Sequence, residues 1–275
     1  MTISPRLGCS TISFRHLPLA PALDVIGELG FAEIDLGALP GVCDHVPYVL
    51  DSAAVTQVAT EVAASGLTVR SVNGDVGDLN AELDEHQKAE RSEHLDRLLE
   101  LTTAVDATAL VLPNGALNHE PLTDLGRDLD RVAGELTSAA DRASAAGREL
   151  WVESLHILRL CHVMDRAEQL TDRLAGTSVG VVMDFSHVVA SGASPEDFVE
   201  RFGDRIRHVH LRDATPGNIH HSIGSGSVDF AGGFTALEKA GYQGHFTLEF
   251  ETRDITHEER PAAAAKAAAY INSLL

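Results

Sequence analysis

The sequence predicts a single (β/α)8 barrel spanning residues 1–275, and three observations carry that reading. Short apolar runs of β type alternate with longer helical patterns along the whole chain. Their starts fall about 25 to 40 residues apart, the length of one βα unit. Eight such units fill the chain with no linker or low-complexity stretch between them, as one barrel domain of this size requires. A doubly wound open sheet is the competing arrangement, and the lack of a GxGxxG run after the first strand weighs against it.

Strands are expected at Leu7–Ser13, Ala32–Leu36, Thr68–Asn73, Ala109–Pro113, Leu150–Glu153, Gly180–Asp184, Ile206–Leu211 and His245–Phe250. Several are continuously apolar, as in Leu110-Val111-Leu112, which suits parallel strands covered on both faces. Between them, Asp51 to Ser65 has apolar residues at helical spacing and stops at Gly66. Arg91 to Val105 repeats leucine at positions 95, 98, 99 and 101, and Leu125 to Ala146 is alanine-rich up to Gly147. Pro195 suits the first turn of a helix capped by Ser194. A last helix runs from near Pro261 through an alanine tract to Leu275.

Composition narrows the function. The formal net charge is −20, which repels a phosphate backbone and disfavours nucleic acid as a partner. Part of the acidic excess is available as carboxylate for a cation. The three cysteines, Cys9, Cys43 and Cys161, show no CxxC spacing, which argues against a disulfide framework or a thiolate site and suits a reducing cytoplasm. Residues 1–20 do not read as a signal peptide, and no apolar stretch is long enough for a bilayer.

Active sites of such barrels gather at the C-terminal ends of the strands. The fifth expected strand ends Trp151-Val152-Glu153 and the sixth ends Val182-Met183-Asp184. The seventh contains His208-Val209-His210 and the eighth Thr247-Leu248-Glu249. Two glutamates, an aspartate and a histidine thus face one mouth from four successive strands. Buried carboxylates repel one another unless a cation or proton joins them. Each acid alone would serve equally well as a cap for the following helix; four in register point to a divalent metal. Three carboxylates and an imidazole favour Mn²⁺ or Mg²⁺, with Co²⁺, Zn²⁺ or Fe²⁺ also in range.

Glu153, then Asp184-Phe185-Ser186-His187, then His210-Leu211-Arg212-Asp213, then Glu249, taken in this order, resemble the xylose-isomerase-like superfamily. The eight-unit pattern covers nearly the whole chain; the discriminating motifs lie in its second half. The resemblance implies Glu153, Asp184, His210 and Glu249 as metal ligands, with Glu153 and Glu249 also exchanging protons with substrate carbons. It implies a substrate contact for His187, and for His220 in the run His220-His221-Ser222-Ile223-Gly224-Ser225-Gly226. The glycines there would bring backbone amides to an oxygen-rich ligand.

His156, three residues after Glu153, is a softer candidate for substrate binding, equally readable as a surface histidine. His208 reads as a packed histidine below the metal, and Asp213 as an orienting group or a loop cap. Glu251 shares a face with Glu249 but lies further along the chain. Trp151, Phe14 and Phe185 read as core rather than as platforms for a sugar face.

Function follows from the resemblance as an expectation: a divalent-metal-dependent isomerase or epimerase acting on a sugar or sugar-like keto-polyol, by proton transfer through a metal-bound enediolate. A dehydratase of inosose or dehydroshikimate type, or a carbon–glycoside-cleaving enzyme, is the alternative on the same scaffold. Apurinic-endonuclease-like chemistry ranks lower, because the third and fourth strands end in Asn73 and Pro113-Asn114 where that group places further histidines. A non-catalytic sugar-binding barrel ranks lowest. The ketohexose 3-epimerases place an arginine in the loop after strand seven, where this chain has Asn218 and histidines. The expected partner is a small sugar or polyol, without membrane association; relatives often form dimers or tetramers, so a homo-oligomer is in view.

Overall fold

The eight apolar runs pair side by side as parallel strands and close into a ring. A computed structural model describes residues 2–275. In chain order the strands are β1 (Leu7–Ser10), β2 (Glu33–Ala38), β3 (Thr68–Gly74), β4 (Ala109–Pro113), β5 (Glu149–Glu153), β6 (Gly180–Asp184), β7 (Ile206–Leu211), β8 (Asp213–Thr215), β9 (Asn218–His221) and β10 (His245–Leu248). The ring runs β1-β10-β7-β6-β5-β4-β3-β2, so β10 is the eighth barrel strand; β8 and β9 form a separate antiparallel hairpin. That hairpin occupies the segment read from sequence as a glycine-rich loop.

Nine helices connect and cover the strands among the described residues: α1 (Leu19–Glu28), α2 (Ser52–Ser65), α3 (Glu85–Ala104), α4 (Leu125–Ala145), α5 (Met164–Arg173), α6 (Phe185–Ala190), α7 (Pro195–Phe202), α8 (Phe230–Lys239) and α9 (Arg260–Asn272). Their ends follow local chemistry. Asp51 accepts from Ala54 N to start α2, and Gly66 ends it at φ 73°. Helix α3 begins ahead of the expected Arg91 because Asp84 and Gln87 form a capping box. Ser194 caps α7, with Pro195 in its first turn.

Two strands are shorter than the sequence pattern implies. Ser10 accepts from Ile12 N and turns the chain into a 3-10 turn at Thr11–Phe14, which ends β1 early. β10 stops at Leu248, and Phe250 N donates instead to Ser13 Oγ at 2.9 Å.

The main apolar core lies between ring and helices, with Leu23, Leu98, Leu136 and Phe198 buried in it. A smaller cluster, Ala109, Val111, Trp151 and Val182, belongs to β4, β5 and β6. Alternation along a strand puts Trp151 on the face of Glu153 and Val182 on the face of Asp184, so this cluster fills the ring beneath the mouth. Trp151, Phe14 and Phe185 are all core residues. The three cysteines are buried and unpaired. No helix among the described residues is long and apolar enough to cross a membrane.

Closure of the ring depends on a small residue in β1. A Cβ at Gly8 would stand 2.9 Å from the main-chain oxygen of Glu33, which cannot swing aside. Gly8→Ala is expected to lower stability by about 1–3 kcal/mol, as overpacking does, seen as a lower urea midpoint with an unchanged slope. An unshifted midpoint would show that the β1–β2 contact yields easily.

Candidate metal centre and active site

The alternation that builds the interior also assembles the site. Glu153 ends β5, Asp184 ends β6, His210 is the penultimate residue of β7, and Glu249 directly follows β10. Asp184 is registered against His210, and His210 against Thr247, two residues before Glu249. Ligand-type atoms of Glu153, Asp184, His210 and Glu249 lie within 4.8 Å of one another. His210 Nδ1 is 3.4 Å from Glu153 Oε1 and 3.3 Å from Glu249 Oε2.

The acids are held differently. Asp184 Oδ1 accepts from Ser186 N (2.6 Å), Ser186 Oγ (2.7 Å) and His187 N (3.3 Å), because the carboxylate caps the short helix α6. Its Oδ2 accepts from Arg212 Nη2 at 2.9 Å. Capping and metal ligation, alternatives in the sequence, thus fall on one residue that can serve both. Glu249 Oε2, by contrast, is buried with no hydrogen-bond partner. Glu153 is steadied through its backbone, where Asn114 Nδ2 donates to the Glu153 carbonyl at 2.9 Å.

The electrostatics favour a positive charge at the centre of the group. Burial would keep the His210 imidazole neutral, but the Glu249, Asp35 and Glu153 carboxylates outweigh it and raise its pKa well above the usual range. Burial raises the Glu153 carboxyl, with help from Asp184 and Glu249 and against the pull of His210. At Asp184 and Glu249 burial acts in the same direction, but Arg212 and then His210 prevail and both carboxyls lie low. His210 Nδ1 and Nε2 are buried without hydrogen-bond partners, as is Glu249 Oε2. Three carboxylates and an imidazole with open electron pairs fit a divalent cation in chemistry and charge.

Below the group lies Asp35 of β2, fully buried. Its Oδ2 is 2.7 Å from His208 Nε2 and 3.3 Å from His210 Nε2. His208 is therefore the packed histidine expected from the sequence. With Nε2 turned toward Asp35, His210 offers Nδ1 to the mouth.

A cavity of about 370 Å³ opens above the group. His187, His156 and His220 all line it. Ile157 N lies 3.2 Å from His187 Nδ1 and Arg212 Nη2 3.0 Å from its Nε2, which is 3.9 Å from Glu153 Oε1. Burial and the nearby Arg212 charge hold its pKa well below the usual imidazole range. The His156 ring packs on that of His187 with centroids 3.8 Å apart, and its Nε2 is 3.6 Å from Glu153 Oε2. His220 Nδ1 donates to the Glu251 carbonyl at 3.2 Å, which leaves Nε2 as an acceptor. The adjacent His221 faces Thr215 and Asn218 instead.

One expectation is overturned. The Gly224 and Gly226 amides do not reach toward a ligand: both donate to Asp213 Oδ2, at 2.8 and 2.9 Å. A Cβ at Gly226 would stand 2.3 Å from Asp213 Oδ1, so glycine is needed for this close approach. Asp213 is the loop cap, and it fixes the turn that follows the hairpin carrying His220.

Arg212 is a site residue that sequence reasoning passed over. It is 3% exposed. It donates to Asp184, to Ser186 Oγ at 2.8 Å and to Glu251 Oε2 at 2.6 Å, and Arg15 Nη1 donates to the other Glu251 oxygen at 2.6 Å. The signal was alternation: Arg212 continues the inward face of His208 and His210. Asp35 was equally readable as a lone acid between Ile34 and Leu36.

The family model for the xylose isomerase-like TIM barrel matches residues 23–274. The chain belongs to this family. Among solved structures, the IolI protein with a bound zinc atom superposes with a TM-score of 0.79 at 18% identity, covering 98% of each chain. L-ribulose 3-epimerase gives 0.79 at 20% identity, over 100% of this chain and 95% of the other. The 3-keto-D-glucoside 4-epimerase of E. coli gives 0.76 at 19%, over 98% and 99%. At such identities the likeness is one of fold. Inosose dehydratase from Lacticaseibacillus casei is 27% identical over 143 residues, 44% of this chain and 47% of that protein. The matched segment thus spans about half the length of this curated relative.

If the Asp35 carboxylate, 3.3 Å from His210 Nε2, orients that imidazole, Asp35→Asn should weaken Mn²⁺ binding about 10- to 100-fold, the usual effect of removing a group that orients a ligand. Calorimetric titration reads the affinity, and near-ultraviolet circular dichroism checks that the fold persists. Undiminished affinity in a folded variant would remove Asp35 from the site.

Proposed function

We propose that this chain is a divalent-metal-dependent isomerase or epimerase acting on a sugar or sugar-like keto-polyol. One observation carries the reading. Asp184 accepts hydrogen bonds at both carboxylate oxygens, while Glu153 and Glu249 approach the same His210 nitrogen from strands on either side of the β7–β6 pair. Two carboxylates so placed can serve the two faces of one bound carbon.

Glu153, Asp184, His210 and Glu249 would hold the ion, with Mn²⁺ or Mg²⁺ favoured by the oxygen-rich set and Co²⁺, Zn²⁺ or Fe²⁺ within its range. When bound, the cation supplies an electrophile for a carbonyl oxygen and its neighbouring hydroxyl. One glutamate takes the proton from the carbon beside the carbonyl; the other returns a proton. Delivery to the opposite face of the same carbon gives the epimer, and delivery to the adjacent carbon gives the isomer. His187, on the cavity wall beside Glu153, contacts a substrate oxygen. His220 Nε2 accepts a hydrogen bond from a substrate hydroxyl, and the His156 ring braces His187. The three unpaired cysteines suit a reducing cytoplasm.

The inosose dehydratase relatives favour a second reading, in which loss of a β-hydroxyl follows the same proton abstraction. Incubation in D₂O with ketoses, inososes and 3-keto-glycosides separates the two: deuterium at one carbon with unchanged composition marks isomerisation, and loss of water marks elimination.

Glu153→Gln and Glu249→Gln should each lower turnover by about 10²–10⁴-fold at saturating metal, since an amide can face a cation but cannot shuttle a proton. Near-normal turnover in both metal-loaded variants would rule out the two-glutamate mechanism.

A further inference from the structure

The cavity above the four-residue group is split between two chemistries. Its wall from β5 to β10 carries the glutamates, the imidazoles and Arg212. The rest of the lining carries apolar side chains, Leu39 and Val42 from the loop after β2, Leu117 from the loop after β4 and Leu158 from the loop after β5, beside Asn73, Asp75, Arg15 and Arg159. These are not core side chains that happen to touch the space. Val42 is 43% exposed, Leu117 64% and Leu158 49%. Among the described residues eight large apolar side chains are this exposed, and three of them, Val42, Leu117 and Leu158, line this one cavity. Such a concentration beside a polar centre marks a binding surface rather than scatter.

The charges on the apolar side are already matched. Arg159 Nη2 pairs with Asp75 Oδ2 at 2.7 Å, and its Nη1 donates to the Gly115 carbonyl at 2.7 Å. Arg15 pairs with Glu251. Both guanidiniums thus already face a carboxylate. Arg253 lines the cavity without an ion pair among the described residues, but it follows β10, on the polar side next to His220.

We infer that the substrate has two unlike ends: a keto-sugar ring that goes to the glutamates, and an apolar substituent that lies on Val42, Leu117 and Leu158. The class is a keto-glycoside with an aryl or similarly apolar aglycone, rather than a free or phosphorylated ketose. The placement of the sugar end rests on the function proposed above; the apolar subsite rests on the lining alone. The subsite is continuous with the catalytic cavity, so one molecule reaches both.

Calorimetric titration of the Mn²⁺-loaded protein with 3-keto-D-glucose, its phenyl β-glycoside and its 6-phosphate tests this. The phenyl glycoside should bind about ten- to thirtyfold more tightly than the free ketose, the range that burial of one ring face gives. Leu117→Asp and Leu158→Asp should bring that ratio toward one. Equal affinities, a ratio unchanged in both variants, or binding by none of the three would overturn the inference. So would tightest binding of the 6-phosphate with loss in Arg253→Ala, which would assign an anionic substituent. A dimer in light scattering that Leu117→Asp dissociates, with no phenyl preference, would assign the patch to a second copy of the chain. If the phenyl preference holds but none of the three exchanges deuterium in D₂O, the isomerase reading fails and the apolar subsite stands.

Discussion

Carboxylates gathered in a protein interior repel one another, and the repulsion grows as water is removed. This chain places Glu153, Asp184, Glu249 and Asp35 around a single imidazole at the mouth of a closed barrel. The rest of the site can be read as the response to that constraint. Arg212 is buried against Asp184 and Glu251, Asp35 is shared by His208 and His210, and helix α6 turns its first amides onto Asp184. These contacts offset part of the negative charge and leave His210 Nδ1 and the two glutamates as the groups still in want of a cation.

The barrel supplies the precision. Parallel pairing fixes the register, so Asp184 and His210 meet side by side without help from any loop. Alternation does the rest, sending every second residue of β5, β6 and β7 inward. Loops then set what approaches the centre: the hairpin β8–β9 carries His220, and Asp213 pins the turn that follows it. Strands hold the reacting groups while loops shape the rim, the usual division of labour in this architecture.

Much of this was legible in the sequence because it depends on periodicity and on residue type at strand ends. The eight apolar runs, the helix stops at Gly66 and Gly147, and the convergence of Glu153, Asp184, His210 and Glu249 all follow from those patterns. Less legible were features set by three-dimensional proximity. Asp35 lies far from His210 in sequence and meets it only because the ring closes. Glu251 looked like a spare acid until Arg15 and Arg212 were seen to hold both its oxygens. The glycines of the loop after β7 carry the same signature whether their amides serve a ligand or an internal aspartate, and here they serve Asp213. The apolar rim was invisible because single exposed leucines mean little until they share a face.

The account stands on one cation at one place. Crystals grown with Mn²⁺ and measured near its absorption edge test it most directly. The account predicts a single anomalous peak per chain, about 2.0 to 2.4 Å from donor atoms of Glu153, Asp184, His210 and Glu249. No peak at saturating manganese, or one held by residues outside this group, would contradict it.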